Sequence, residues 1–380
     1  MKCLVPVQTA LTSALCFAYR VPEFNAVAVI DTDAQLLDFV PTIRLADWVA
    51  VDTEADSLHA YPEKTCLIQI STAAGDRLID PLSRINLNPL FVALSAHQLI
   101  MHGADYDLRL FRKHHDFVPG SIFDTMLAAR LLGHRQFGLS HLVELYLGVK
   151  LEKGPQKANW ARRPLTERMT RYARHDTHYL KDLADKLQKE LKTRKRLAWH
   201  AESCDRLIKD STRLTPPDED TVWRVKGCHT LNRSGLAVVR EIWKWREGEA
   251  IMANKPPFFI LRHEDVVAIA GAAITHKSVE NRIPKHLSPR RRSGLEKAVQ
   301  RALQLPADKH PHHPSRNGRW PTEAEKKRYG EIERRRDRAA KELEIDPTLI
   351  ASRSTLADLS RDWDKHAGEL MTWQRELLKA

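Results

Sequence analysis

Two carboxylates, Asp52 and Glu54, follow a short apolar run in the first part of the chain. The run, Trp48-Val49-Ala50-Val51, is typical of a buried strand. Because strand side chains alternate between two faces, both carboxylates point the same way, with one oppositely directed residue between them. Their burial is costly unless a cation lies between them, and a divalent ion suits carboxylate oxygens. Standing alone, the pair would be interpreted as two solvated charges at a strand end.

Two further elements carry polar groups that could join this pair. Asp105-Tyr106-Asp107 follows the apolar run Leu99–Met101, where a strand is predicted to give way to a helix. Tyr172 and Asp176 are four residues apart on another predicted helix and so share one face. Carboxylates from separate elements, together with a phenol, could form a two-metal site. In such sites, ions about 3.5–4 Å apart stabilise the attacking and leaving oxygens of phosphoryl transfer.

The three motifs together resemble the DEDDy branch of the DEDD 3′→5′ exonucleases, and within it the ribonuclease D family. They read D-T-E at 52–54, H-G-A-x-x-D-L at 102–108 and Y-A-x-x-D-x-x-Y-L at 172–180. Further matches are Cys66-Leu67-Ile68-Gln69-Ile70, Phe123-Asp124-Thr125 and Arg163-Pro164-Leu165-Thr166. Ala158-Asn159-Trp160 departs from the Ser-Asp-Trp that relatives often carry, a difference that concerns substrate handling and leaves the carboxylates untouched.

This resemblance implies an α/β, ribonuclease-H-like exonuclease domain, with a mixed sheet flanked by helices. It implies a metal-dependent 3′→5′ exoribonuclease that trims structured RNA such as tRNA precursors. By motif matching, Asp52, Glu54, Asp107 and Asp176 would hold two divalent metal ions, Mg²⁺ or Mn²⁺. Tyr172 would hydrogen-bond the attacking water and orient it. All five would be catalytic.

Substrate-binding candidates lie outside this set. D-T-E-A-D-S-L also resembles the proofreading domain of DNA polymerase I, in which the Leu wedges against the 3′-terminal base, so Leu58 is the candidate for that role. His102, beside the second acid, is a candidate substrate contact, although a structural histidine is the alternative. Arg290, Arg291 and Arg292 form a basic stretch, interpreted as a loop, that could contact phosphates or be merely solvated.

The chain divides at two breaks. Strands come first and then alternate with helices, which indicates an α/β fold with a mixed sheet. Residues 214–220 form the first break and 306–321 the second, and only helical patterns follow the first. The expected domains are a disordered tail at 1–23, the exonuclease domain at 24–213, a helical domain at 218–305 that resembles the HRDC domain, and a second HRDC-like helical domain at 321–380.

Local predictions accompany this division. We expect an antiparallel meander with Gly75-Asp76 as a turn, a helix over Phe123–Leu132, and a helix over Gly294–Leu303 after the basic loop.

Composition limits the partners and the compartment. The net charge of +12 across 380 residues favours a polyanionic partner. The five cysteines form no C-x-x-C pair, which favours a reducing, cytoplasmic compartment without disulfides or structural zinc. No run approaches the ~18 apolar residues of a membrane span, so no membrane partner is expected. We expect a monomer that binds RNA and, as a second possibility, single-stranded DNA.

Two alternatives remain open at this point. The chain could be a DNA 3′→5′ exonuclease, because contacts to the ribose 2′-OH cannot be read from one sequence. It could also be a catalytically dead, basic RNA-binding scaffold. The complete set of four acids and one tyrosine favours an enzyme, because buried carboxylates cost free energy without a cation.

Overall fold

The computed structural model of the chain describes residues 29–216, 218–275, 277–313 and 320–379. Within these ranges the strands are β1 (Val29–Ile30), β2 (Val49–Ala55), β3 (Thr65–Thr72), β4 (Gly75–Ile79), β5 (Gln98–Met101) and β6 (Ser121–Asp124). They form one sheet in the order β1-β4-β3-β2-β5-β6. β3 runs antiparallel to β2 and β4, and the other neighbours are parallel. The predicted mixed sheet is confirmed. The tail predicted for residues 1–23 lies outside the described residues.

α-Helices make up most of the remaining regular structure, and many of them flank this sheet. They are α1 (Asp33–Arg44), α2 (Asn88–Leu94), α3 (Asp105–His115), α4 (Thr125–Leu131), α5 (Leu139–Leu147), α6 (Glu167–His178), α7 (Leu180–Thr193), α8 (Leu197–Thr212), α9 (Arg233–Ala253), α10 (Pro257–Ile260), α11 (His263–Ile274), α12 (Pro289–Leu303), α13 (Glu323–Leu343), α14 (Pro347–Ile350), α15 (Arg353–Arg361), α16 (Trp363–His366) and α17 (Thr372–Leu378). No described helix is long and apolar enough to cross a membrane.

Apolar residues on both faces of the sheet produce three layers. Val49 and Val51 of β2 enter one core with α1, α2, α3 and α8, while Ala50 between them enters the opposite core with α4, α5 and α7. On β5, Leu99 and Ile100 divide between the same two cores. This alternation is the two-residue period of a strand. The alternation determines which side chains at the strand ends lie on the same face of the sheet.

Two local predictions were wrong. The turn between β3 and β4 is Ala73-Ala74, and Gly75 and Asp76 already pair in β4. Gly75 has a φ of +109°, a backbone conformation that favours glycine. This residue is the first of β4 and does not belong to the turn. Phe123 lies in β6, because Asp124 caps the following helix by accepting from the backbone N–H groups of Met126 and Leu127.

The helices α9, α11 and α12 enclose an apolar core of their own. It includes Leu236, Val239, Ile269 and Leu295, all fully buried. The first turn of α12 contains the three arginines that were interpreted as a loop. That interpretation was wrong, because Ser288 accepts from the Arg291 N–H as the N-cap and a proline at the first helical position starts the helix.

The last helices pack differently, since the core of α13, α14, α15 and α17 is continuous with that of α4, α5 and α7. The Trp373 ring stacks on Trp199 of α8, with a centroid distance of 4.9 Å. Arg196 donates to the Leu343 carbonyl oxygen at 2.8 Å. Gly133, at a φ of +92°, lies so close that a Cβ would meet the Glu344 carbonyl oxygen at 2.3 Å. The helices that flank the sheet and the last helices therefore form one packed body.

Candidate active site

Strand β2 supplies the first two carboxylates. Asp52 and Glu54 lie within the strand, where they pair with Gln69 and Leu67 of β3. Both are half-buried on the same face, as the alternation predicts. β2 pairs with β5 only at Val49 and Ala50. The two strands therefore separate before Asp52, which leaves room for groups from another layer.

Helix α3 brings Asp107 into that opening from the opposite layer. Thr53, on the face of β2 away from Asp52, donates its hydroxyl hydrogen to Asp107 Oδ1. The turn before α3 is tight, because Gly103 has a φ of +68° and a Cβ there would meet Met126 Cε at 2.5 Å. The buried Asp124 accepts from the Ala104 backbone N–H at 2.8 Å. Together these contacts fix the first turn of α3, on which Asp107 lies.

Helix α6 carries Tyr172 and Asp176 across the end of the sheet, where it contacts β2, β3 and β4. Thr166 caps the helix by accepting from the Met169 N–H. The neighbouring Tyr172 side chain lowers the pKa of the Asp176 carboxyl, against the larger effect of burial. Burial and repulsion from Asp176 raise the pKa of Tyr172, so the side chain stays a phenol.

Two ion-paired aspartates hold α6 and the segment before it. Asp80 binds the Arg163 guanidinium through both carboxylate oxygens, at 2.5 and 2.7 Å. Asp76 Oδ2 accepts a hydrogen bond from Arg174 Nη2 at 3.0 Å and lies 2.9 Å from His178 Nδ1. Because Arg174 and His178 flank Asp176 on either side, these contacts fix the rotation of the helix.

Burial is the largest cause of the raised pKa of each carboxyl at the site. The pKa of Asp52 is well above its usual value, because repulsion from Asp107, Asp176 and Glu54 adds to burial. Burial, with repulsion from Asp176 and Asp107, raises the pKa of Glu54 to about 9. Burial raises the pKa of Asp107 to about 7 and that of Asp176 to about 8. Such groups hold protons at neutral pH unless cations replace them.

The four carboxylates fit divalent cations by their chemistry. Among the described residues, no three His, Cys, Asp or Glu side chains are arranged so that they could hold one ion together. The acids are nevertheless close enough to repel each other, and the buried Asp176 Oδ2 has no hydrogen-bond partner within the described ranges. Hard cations take such oxygens as ligands. Binding would draw the carboxylates together.

The candidate substrate-binding residues lie apart from one another. Leu58 is 44% exposed, in the turn after β2. His102 Nδ1 is engaged by the Thr125 hydroxyl at 2.9 Å, which gives the ring a structural task. Arg290 and Arg291 both pair with the buried Glu249, and Arg292 donates to backbone carbonyls. These contacts stabilise the first turn of α12, and the partners of the three arginines are Glu249 and two backbone carbonyls, not the four carboxylates of the site.

Several residues that shape the site escaped sequence reasoning. Thr53 holds Asp107, Asp124 fixes the turn before α3, and Asp76 anchors α6. Asp56 is fully buried and pairs with Lys64, which closes the hairpin that carries Leu58. For the three aspartates, the signal in the sequence was an acid in an otherwise apolar or turn segment, and that signal does not distinguish a structural aspartate from a metal ligand.

Several known proteins are similar to this chain. A family model described as 3′-5′ exonuclease matches residues 27–192. Ribonuclease D of Shewanella sp. is 32% identical over 246 residues, which cover 63% of this chain and 63% of that protein. The chain spans just under two thirds, 63–65%, of the length of the first four curated relatives, all of them ribonucleases D.

Two solved structures are also similar to this chain. The catalytic core of RRP6 from Trypanosoma brucei is 30% identical, with a TM-score of 0.62, and the match covers 73% of this chain and 79% of that one. Escherichia coli RNase D shares the fold at 24% identity, with a TM-score of 0.71 over 93% of this chain and 98% of that one. The protein therefore belongs to the ribonuclease D family of 3′→5′ exonucleases.

Proposed function

We propose that this protein is a metal-dependent 3′→5′ exoribonuclease. The observation that carries the proposal is the meeting of Asp52, Glu54, Asp107 and Asp176, from three separate elements, beside the Tyr172 hydroxyl. Four acids that raise each other's pKa are unfavourable as a purely structural arrangement. They become favourable when divalent cations bind them, and that requirement points to phosphodiester hydrolysis.

Each side chain has a distinct task in this proposal. Asp52 and Glu54 from β2, Asp107 from α3 and Asp176 from α6 would hold two divalent ions, Mg²⁺ or Mn²⁺. Bound ions of this kind supply positive charge for the phosphate oxygens and lower the pKa of water. The Tyr172 hydroxyl would hold the attacking water in line with the scissile bond, since a phenol with a raised pKa is a poor base.

The proposed substrate is the 3′ end of a structured RNA, such as a tRNA precursor. Leu58, exposed beside β2, would wedge against the terminal base. The net charge of +12 supports a polyanionic substrate, because phosphate neutralisation supplies most nucleic-acid affinity. We further propose that residues 218–305 and 321–380 are HRDC-type helical domains that add nucleic-acid contacts. The chain would act as a monomer.

A time course on matched RNA and DNA strands tests the proposal. Each strand is labelled at the 3′ or the 5′ end and incubated with Mg²⁺, Mn²⁺ or EDTA. A 3′→5′ exoribonuclease releases the 3′ label at once as a mononucleotide and shortens the 5′-labelled RNA stepwise. Faster loss of DNA than RNA would instead support a DNA exonuclease. Tight RNA binding without cleavage in either metal would support a dead scaffold and overturn the proposal.

A further inference from the structure

Gln69, in the middle of β3, is a fully buried polar side chain. Neither its amide nitrogen nor its amide oxygen has a hydrogen-bond partner among the described residues. Buried polar groups in proteins are nearly always paired, because an unpaired one costs free energy. The buried Ser71, two residues further along, shows the usual pattern, since its hydroxyl donates to Asp76 Oδ1 at 2.7 Å. The unpaired amide of Gln69 therefore indicates a partner that is gained when a ligand binds.

The strand register places Gln69 beside the first carboxylate of the site. In the antiparallel pair of β2 and β3, Gln69 lies directly opposite Asp52. Side chains of directly opposite residues project from the same face of a sheet, with Cβ atoms about 4.5–5.5 Å apart. A glutamine side chain is long enough to reach a carboxylate at that separation. The amide of Gln69 therefore shares a face with both acids of β2, Asp52 and Glu54.

Helix α6 covers the same face of β3. Leu67, two residues before Gln69, belongs to one buried cluster with Ala173 of α6. Ser71, two residues after it, has its Oγ 2.8 Å from Thr177 Oγ1 on the same helix. Gln69 lies between these two contacts and is therefore enclosed by β2 and by the part of α6 that carries Asp176. The polar groups that surround its amide belong to the candidate active site.

We propose that Gln69 is a positioning residue, which donates a side-chain N–H to the Asp52 carboxylate when divalent ions are bound and so holds that carboxylate toward the ions. This inference deepens the proposed metal-dependent function and rests on it. An ionised carboxylate only accepts hydrogen bonds, and a glutamine amide offers two N–H donors. Hydrogen bonds from neighbouring groups orient the carboxylates that bind metals, and their loss typically weakens metal binding 10–100-fold.

The test replaces the amide by an apolar side chain of similar shape, Gln69→Met, in the full chain. Binding of Mn²⁺, measured from the electron paramagnetic resonance signal of the free ion, should weaken about 10–100-fold. Single-turnover cleavage of RNA should need correspondingly more Mg²⁺ for its half-maximal rate. RNA affinity in EDTA should not change, because phosphate neutralisation supplies it. Gln98→Met is the matched control, since Gln98 is an exposed glutamine at the start of β5, and it should bind Mn²⁺ as the wild type does.

Two further measurements separate positioning from a structural role. Without metal, the melting temperature of Gln69→Met should equal or exceed that of the wild type, because the change removes an unpaired buried amide. In the Asp52→Asn background, Gln69→Met should alter the Mn²⁺ affinity less than about twofold.

Three results would overturn the inference alone, in a wild-type chain that binds Mn²⁺ and cleaves RNA. They are an unchanged Mn²⁺ affinity in Gln69→Met, an equal loss of affinity in both Asp52 backgrounds, and a marked fall in the metal-free melting temperature. A folded wild-type chain that neither binds Mn²⁺ nor cleaves RNA would overturn the proposed function, and this inference with it.

Discussion

Trp373→Ala tests whether the last helices and the exonuclease part unfold as one body. The Trp373 side chain is 3% exposed, and its ring stacks on Trp199 of α8 at 4.9 Å. Truncating a buried tryptophan costs about 3–5 kcal/mol. The indole N–H has no hydrogen-bond partner among the described residues, and burying such a donor destabilises the folded state. Because the variant removes this unpaired donor together with the ring, we expect the lower value, a loss of about 3 kcal/mol. A loss of this size lowers Tm by about 6–12 °C.

The assay combines thermal unfolding with hydrogen exchange of the β3 amides, which report on the sheet itself. Trp320→Ala is the matched control, because Trp320 is 86% exposed and its truncation should cost less than about 0.5 kcal/mol. In Trp373→Ala, protection of β3 should fall together with the melting temperature. A separate early transition of the last helices, with β3 protection unchanged, would refute the shared core.

Three further predictions concern the site. Asp52→Asn should abolish RNA cleavage while RNA binding, measured by fluorescence anisotropy, survives; cleavage at the wild-type rate would contradict the metal-ligand role. Tyr172→Phe should lower the single-turnover rate about 10²-fold with little change in Tm, and a near-wild-type rate would assign the water to another group. Burial raises the pKa of Glu54 to about 9 and that of Asp176 to about 8, so both carboxyls favour the folded state in their protonated form. That stabilisation is complete below the unfolded pKa near 4 and is lost as the pH rises through about 8 to 9. Mg²⁺ should therefore raise Tm more at about pH 8.5 than at about pH 6.5, and equal shifts would count against a carboxylate metal site.

The carboxylate positions could be predicted from the sequence because they follow from local rules. Alternation along β2 places Asp52 and Glu54 on one face, and helical spacing places Tyr172 and Asp176 together. The contribution of Asp107 depends on the order of β2 and β5 in the sheet. Asp107 was assigned to the site by motif matching and not by periodicity.

The errors have a different origin, because they depend on partners distant in the chain. Phe123 was assigned to a helix since its apolar run continues into α4, whereas its pairing with Ile100 of β5 places it in a strand. The arginines of α12 were interpreted as a loop, although the buried Glu249 on α9 pairs with two of them in the first turn of that helix. A pairing across 41 residues leaves no mark on local composition.

The shared core also has a consequence for biosynthesis. Helix α7 ends at Thr193, and the helices that complete its core begin at Glu323, some 130 residues later. At typical elongation rates the ribosome needs roughly 7 to 26 seconds for that stretch. The nascent exonuclease part spends this interval with apolar side chains around Trp199 uncovered, while α9 to α12 can fold on their own core. We expect this partly covered form to be open to proteases, so the speed of translation through residues 194–322 would set how long each new molecule is exposed to them.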